Sequence, residues 1–188
     1  SLVSNHNYFN SQYHLNNYME ELQKYLKKMP DFRNENTLNK ILDKSSILPI
    51  GCELKISRTL NTKTPIILWN HRWEYDKNPG DFFNCLKKIK EKKIKFKLVI
   101  LGEEFETEMD IFSDARIFFS DEILHMGYCE SFVKYAGWLW RADILPVTTN
   151  QEFFGASIME AVYCGVHPLL PNRLTYPELF KNQINTDH

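Results

Sequence analysis

Two polar segments of the sequence carry residues that suit a phosphorylated ligand, and the first follows an apolar run. In it, Arg72 and Lys77 stand five positions apart, with His71 beside Arg72 as a further candidate phosphate contact. Arginine offers phosphate oxygens a planar fork of donors, and lysine offers a compact point charge. A pair of solvated loop cations would have the same sequence, so this segment alone leaves both interpretations open.

The second segment places two carboxylates around a run of small residues. Gly155, Ala156 and Ser157 stand at the predicted start of a helix, where backbone N–H groups and the helix dipole favour an anion. Glu152 precedes that helix and Glu160 lies within it, and carboxylates accept hydrogen bonds from sugar hydroxyls. Together they suit a diphosphate between two polyhydroxylated rings. The alternative is an ordinary capped helix with two solvent-facing glutamates.

Alternating strand and helix patterns position both segments. The predicted strands are Ile66–Asn70, Phe96–Leu101, Ile123–Gly127, Asp143–Val147 and Val166–Leu170, and the predicted helices are Asn78–Ile89, Asp110–Phe118, Phe132–Trp140 and Gly155–Cys164. Such spacing indicates right-handed βαβ units. We therefore expect an α/β fold, a Rossmann-like parallel sheet with helices on both faces, which binds ligands beyond the carboxyl ends of its strands. Pro146 argues against a central position for its strand.

The first 60 residues follow a different pattern. Apolar spacing predicts an amphipathic helix over Tyr18–Met29 and a short helix over Thr37–Leu42. Leu2 and Val3 are read as the stub of a strand, Ile47–Gly51 as a short strand or extended linker, and Arg58–Thr64 as a loop. We therefore divide the chain into residues 1–60, the remnant of a preceding domain with a linker, and residues 65–188, the ligand-binding domain.

Composition excludes several functional classes. The net charge of -1 gives no global reason to expect a nucleic acid or an anionic membrane as partner. No apolar run approaches the roughly 20 residues that span a bilayer, and no histidine spacing is typical of a metal site. The four cysteines are widely separated and form no CxxC motif. We expect a cytoplasmic protein with reduced cysteines, no metal and no membrane contact.

The two segments together resemble a known family. Arg-x4-Lys after the first strand and Glu-x7-Glu with an internal Phe-Gly resemble the carboxyl-terminal half of retaining GT-B glycosyltransferases of family GT4. The tRNA-queuosine mannosyltransferase group is similar over most of residues 65–180 and weakly over the first 60. This resemblance rests on Trp69–Glu74, Asp76–Pro79, Glu152–Gly155, Glu160–Gly165 and Tyr176–Glu178, and Asn5–Ser11 looks like the end of that group's amino-terminal domain.

The resemblance assigns roles to individual residues. It implies that Arg72 and Lys77 hold the diphosphate leaving group, that Glu152 contacts the donor sugar and that Glu160 takes the ribose hydroxyls. It places the backbone of Gly127 and Tyr128 near the base. His71, Phe154, Gly155, Ala156 and Ser157 complete the expected substrate-binding set. The implied donor is GDP-mannose, with no other cofactor; the residues alone do not distinguish guanine from uracil.

The resemblance also implies what this chain needs from elsewhere. A GT-B enzyme binds its donor between two Rossmann-like domains, and the amino-terminal, acceptor-binding domain is essentially absent here. We expect weak donor binding and no catalysis by this fragment alone, with tRNA as a partner of the full-length protein. Two alternatives stay open: a GT4 enzyme that glycosylates a glycan or lipid, and a catalytically inert nucleotide-binding module.

Overall fold

The computed structural model describes residues 2–29, 36–51, 64–102 and 110–180, and its elements belong to two compact units. The N-terminal unit comprises the described parts of 1–51, 152–155 and 172–188, and the sheet unit those of 52–151 and 156–171. The division of the chain at residues 60–65 into two domains stays a prediction. Residues 58–63 of the predicted Arg58–Thr64 loop lie outside the described residues.

The elements of the sheet unit alternate between strand and helix as the sequence predicts. Numbered along the whole chain, the elements are β1 (Asn7–Phe9), α1 (Gln12–Lys28), α2 (Asn36–Leu42), β2 (Ser45–Ile47), β3 (Ile66–Asn70), α3 (Pro79–Glu91), β4 (Lys97–Leu101), α4 (Asp110–Phe118), β5 (Ile123–Gly127), α5 (Phe132–Arg141), β6 (Ile144–Pro146), α6 (Ala156–Tyr163), β7 (His167–Leu169) and α7 (Tyr176–Leu179). A single 3₁₀ turn, Tyr75–Lys77, precedes α3.

The five strands β3 to β7 form one parallel sheet in the order β5-β4-β3-β6-β7. The chain adds β4 and β5 on one side of β3 and then crosses to add β6 and β7 on the other. The point where the strand order reverses, between β3 and β6, is where sheets of this kind open a crevice for ligands. The topology therefore directs attention to the carboxyl end of β3.

Both faces of the central strand are covered, which confirms the predicted doubly covered sheet. Ile67 and Trp69 of β3 point to one face and pack in a buried cluster with α3 and α4, including Phe82 and Phe112. Leu68 is fully buried although it points to the opposite face. That face lies under α6, because Asn70 of the same face donates a hydrogen bond to a carbonyl in that helix.

Local chemistry explains where α3 begins. Asn78 lies in the left-handed region (φ 52°), and its side chain accepts a hydrogen bond from the backbone N–H of Asp81 at 3.4 Å. Pro79 occupies the first turn, where its missing N–H costs nothing. This confirms the predicted capping of α3.

The expectation that Pro146 keeps its strand from an interior position is wrong. Strand β6 lies between β3 and β7, and Pro146 is its last residue. The pairing of β6 with β3 is confined to Ile67 and Ile144, so the proline lies beyond that ladder and interrupts no bond within it.

In the N-terminal unit, the predicted place of the first strand and the predicted start of the first helix are wrong. The strand is Asn7–Phe9, paired in parallel with β2, and Leu2 and Val3 are outside it. Helix α1 begins at Gln12 rather than near Tyr18, because Ser11 caps it by accepting from the N–H of His14 at 3.0 Å. The expected strand or linker at Ile47–Gly51 is a strand over Ser45–Ile47 followed by irregular chain.

Candidate functional site

A cavity of about 350 Å³ lies at the carboxyl ends of β3, β4 and β5 in the sheet unit. It brings together three residues that the sequence marks as site residues: His71, Arg72 and Tyr128. The remaining walls come from the same strand ends and from α5: Asn70, Leu101, Gly102, Cys129, Ser131, Phe132 and Tyr135. The position agrees with the general rule for ligand sites in parallel sheets.

The cavity depends on a close approach of two loops. Gly102 follows β4 with φ 153°, and a Cβ there would lie 2.5 Å from the His71 carbonyl oxygen and 2.5 Å from the Trp73 ring. Trp73 in turn stacks on Phe112 of α4 with ring centroids 4.3 Å apart. A residue without a Cβ is therefore required at position 102, and the packed Trp73 holds the loop that carries His71 and Arg72.

Two buried polar atoms at this cavity have no partner within the described part of the chain. They are Oδ1 of Asn70 and Nε2 of His71, and both residues line the cavity. Burial, followed by the positive charge of Lys77, lowers the pKa of His71 to about 3, with Asp76 acting in the opposite direction. The imidazole is therefore neutral at neutral pH, so it can offer a ligand one N–H donor or one acceptor.

The two predicted phosphate-binding cations lie in different environments. The Arg72 side chain is 64% exposed and forms an ion pair with Glu74 at 3.1 Å, so its guanidinium stands at the mouth of the cavity. Lys77 is buried, pairs with Asp76 at 2.9 Å and donates to the Gln151 carbonyl oxygen at 3.2 Å. It is not among the residues that line the cavity. In this geometry the lysine ties the loop after β3 to the loop after β6.

Helix α6 is anchored behind the cavity by two hydrogen bonds. Asn70 Nδ2 donates to the Ser157 carbonyl oxygen at 2.6 Å. Tyr135 of α5 donates its hydroxyl to Glu160 Oε2, also at 2.6 Å. The predicted ribose ligand Glu160 is not among the residues that line the cavity, but its hydrogen-bond donor Tyr135 is. Ala156 opens this helix, as expected, and is exposed.

Three predicted site residues, Glu152, Phe154 and Gly155, belong to the N-terminal unit. Glu152 Oε1 accepts from the backbone N–H of Phe153 at 3.1 Å and from that of Phe154 at 3.4 Å. Phe154 is buried and Gly155 adopts a positive φ of 76°. Of the pair after β5, Tyr128 is 66% exposed and lines the cavity, whereas Gly127 is not among its lining residues.

The loop that carries Glu152 is held by the start of α1. Ser11 is buried and donates its hydroxyl to the Phe153 carbonyl oxygen, while His14 stacks on the Phe153 ring with centroids 4.5 Å apart. Glu178 of α7 accepts from the backbone N–H groups of Gln12 and Tyr13 at 2.8 and 2.9 Å. The start of α1 therefore contacts this loop directly and is itself capped by Glu178.

Sequence reasoning missed Asn70, Gly102 and Tyr135 as parts of the site. A polar residue that closes an apolar strand run is a usable signal for Asn70, and a glycine directly after a strand is one for Gly102. Tyr135 carries no such signal, because its partner Glu160 is 25 residues away and only the tertiary structure joins them.

The described ranges hold neither a candidate membrane-spanning helix nor a candidate metal cluster. No helix there is both long enough and apolar enough to cross a membrane. Over those same residues, no group of three or more His, Cys, Asp or Glu side chains is arranged to hold a metal ion.

Two family models match consecutive parts of the chain. Residues 53–186 match the family model described as glycosyl transferases group 1. The chain belongs to this family. Residues 1–52 match the model described as tRNA-queuosine alpha-mannosyltransferase N-terminal. A curated relative, the tRNA-queuosine alpha-mannosyltransferase of Drosophila melanogaster, is 30% identical over 194 residues. The alignment covers 96% of this chain and 51% of the relative, so the chain spans about half of that relative's length.

Solved structures of the glycosyltransferase class share the fold. Anabaena HepE in complex with UDP has a TM-score of 0.66 at 12% identity, over 94% of this chain and 47% of that one. A glycosyltransferase from Rickettsia africae has a TM-score of 0.61 at 15% identity, over 93% and 46% of the two chains. At these identities the likeness shows the fold, and it confirms the α/β architecture of GT-B glycosyltransferases predicted from the sequence.

Proposed function

We propose that this chain is the donor-binding half of a retaining glycosyltransferase that moves mannose from GDP-mannose to queuosine in tRNA. Membership of the glycosyl transferases group 1 family supports the transfer of a sugar. The match of residues 1–52 and the similarity to the Drosophila enzyme support mannose and queuosine over a glycan or lipid acceptor. Under this proposal residues 65–188 form the donor-binding domain, and residues 1–60 end the acceptor-binding domain.

The observation that carries the donor site is the cavity at the end of β3. Arg72 is exposed at its mouth, and the unpartnered polar atoms of Asn70 and His71 lie in its walls. Buried polar atoms without a partner are costly in a folded protein, and a bound polar ligand would satisfy them. We place the diphosphate here, with Arg72 as its cationic ligand and the neutral His71 as a hydrogen-bonding one.

The proposed mechanism follows from the charges that develop during transfer. Breaking the sugar–phosphate bond leaves negative charge on the diphosphate and positive charge on the anomeric carbon. A fixed cation stabilises the departing diphosphate more than the intact donor, and the loss of one such donor typically costs about 3 kcal/mol of barrier. Arg72 is placed to act directly. Lys77 is buried in its own ion pair, so its charge acts from within the loop.

The remaining site residues are assigned to individual parts of the donor. Glu160 takes the ribose hydroxyls, and Tyr128 with the adjoining Gly127 lies against the base. Glu152, with Phe154 and Gly155 in the same loop, contacts the mannosyl group, while the helix start at Ala156 and Ser157 faces the phosphates. Retention requires no carboxylate nucleophile in this proposal, because the leaving phosphate takes the acceptor proton on the same face. We expect the protein to act in the cytoplasm and without a metal.

The acceptor is tested in cells that carry queuosine in tRNA. Deleting the gene for the full-length protein should leave queuosine unmannosylated, and mass spectrometry of digested tRNA nucleosides measures this directly. Re-expression of the intact gene should restore the mannosylated nucleoside, whereas re-expression of the Arg72→Ala variant should not. An unchanged nucleoside profile after deletion would remove tRNA as the acceptor while leaving the donor site to be tested separately.

A further inference from the structure

Tyr135 of α5 and Glu160 of α6 form a short hydrogen bond between the two helices. The Tyr135 hydroxyl donates to Glu160 Oε2 at 2.6 Å, which is the length of a charge-assisted O–H···O⁻ bond. Tyr135 also lines the cavity that holds His71 and Arg72. Within the described residues, Oε1 of Glu160 accepts no hydrogen bond. One carboxylate oxygen therefore has a donor from the protein, and the other has none among the described residues.

The helix that carries Glu160 is fixed at a second point. Asn70, the last residue of β3, donates its Nδ2 to the Ser157 carbonyl oxygen at 2.6 Å. Ser157 precedes Glu160 by three positions, so both stand on one face of α6. The end of the central strand and helix α5 thus hold α6 from two sides, which limits how far the Glu160 carboxylate can turn.

We infer that Tyr135 is a positioning residue, which holds the Glu160 carboxylate so that its second oxygen meets the ribose hydroxyls of the nucleotide. The inference rests on the proposed ribose-binding role of Glu160. A carboxylate can accept from two adjacent hydroxyls only in a limited range of orientations, and a second-layer hydrogen bond selects among them. Burial, and then the hydrogen bond and negative charge of Glu160, raise the pKa of Tyr135, so its hydroxyl remains the donor at neutral pH.

The test compares how variants bind GDP and its 2′,3′-dideoxy analogue, measured by calorimetry. The Tyr135→Phe variant removes the hydroxyl and keeps the ring. We expect it to bind GDP about tenfold more weakly, the loss typical of one hydrogen bond to a charged group, and to bind the dideoxy analogue as wild type does. Tyr163→Phe is the matched control, because Tyr163 lies on α6, the helix of Glu160, and is exposed and no part of the site. This variant should bind both ligands normally.

The Glu160→Ala variant separates failure of the inference from failure of the proposed function. It should lose the preference for GDP over the dideoxy analogue altogether. If Glu160→Ala loses the preference and Tyr135→Phe keeps it in full, the positioning role of Tyr135 is overturned, while the ribose-binding role of Glu160 stands. Equal weakening of both ligands by Tyr135→Phe indicates a purely structural role and also overturns the inference. An intact preference in Glu160→Ala overturns the ribose role on which the inference rests.

Discussion

Lowering the pH should destabilise this protein through one buried side chain, His71. Its ring is buried at the end of β3, and burial together with the charge of Lys77 lowers its pKa from 6.5 to about 3. In the unfolded chain the same imidazole takes up a proton near its ordinary pKa. Between these two values the unfolded state binds more protons than the folded state, so the free energy of unfolding falls as the pH falls.

The size of this effect follows from the gap between the two pKa values. Each pH unit within that gap corresponds to about 1.4 kcal/mol. At pH 5 the unfolded chain is nearly fully protonated at His71 and the folded chain is not. The free energy of unfolding is therefore about 2 kcal/mol lower at pH 5 than at pH 7. That is a large share of the roughly 5–15 kcal/mol by which a domain is stable. The change is complete only near pH 3 and is absent above pH 7.

The assay is urea unfolding followed by tryptophan fluorescence at pH 5, 6 and 7. The His71→Gln variant has no proton to gain at this position, so its loss of stability from pH 7 to pH 5 should be about 2 kcal/mol smaller than that of wild type. His6→Gln removes an exposed histidine and serves as the matched control, which should follow wild type. Identical pH dependence in wild type and His71→Gln would refute the reasoning.

Two further pairs of substitutions, each with its control, test the packing at Gly102 and the capping of α1. Gly102→Ala should destabilise the protein by about 1–3 kcal/mol, because the new Cβ meets the His71 carbonyl at 2.5 Å. At Gly137, in helix α5, a Cβ would meet open space, so Gly137→Ala should raise the free energy of unfolding by about 0.5–1 kcal/mol in thermal unfolding. Equal effects of Gly102→Ala and Gly137→Ala would contradict this account. Glu178→Ala should lower the free energy of unfolding by about 1 kcal/mol, because it uncaps α1. Glu130→Ala breaks an exposed ion pair and should change that free energy little. Chemical denaturation measures both variants, and an unchanged stability of Glu178→Ala would contradict the capping role.

Most of the sheet unit could be predicted from the sequence because its signals are local. Strand β3 is buried along its whole length, and its first four residues, 66–69, are all apolar. The elements Asp110–Phe118 and Ile123–Gly127 have the predicted bounds. The start of α1 could not be predicted from apolar spacing. It depends on the cap at Ser11 and on Glu178. The Glu178 carboxylate accepts a hydrogen bond from the N–H of Gln12, which is 166 positions away in the sequence.

The candidate site could be predicted in part, for a similar reason. His71 and Arg72 follow a predicted buried strand, and the family resemblance implies a role for Tyr128; the cavity at the strand ends contains all three. The burial of Lys77 was not predictable, because its partner Asp76 is adjacent in sequence and a solvated pair would read identically. The link from Tyr135 to Glu160 joins two helices whose relative placement no local pattern encodes.

The central claim, that the cavity after β3 binds a nucleotide sugar through Arg72, is tested most directly by calorimetric titration of this chain. GDP, UDP and GDP-mannose are the ligands, and Arg72→Ala is compared with wild type. We predict that GDP and GDP-mannose bind more tightly than UDP, and that Arg72→Ala weakens binding by about 1.5–3 kcal/mol, the range for hydrogen bonds to charged groups. Preference for UDP would contradict the guanosine donor, and equal affinity of wild type and Arg72→Ala would contradict the site itself.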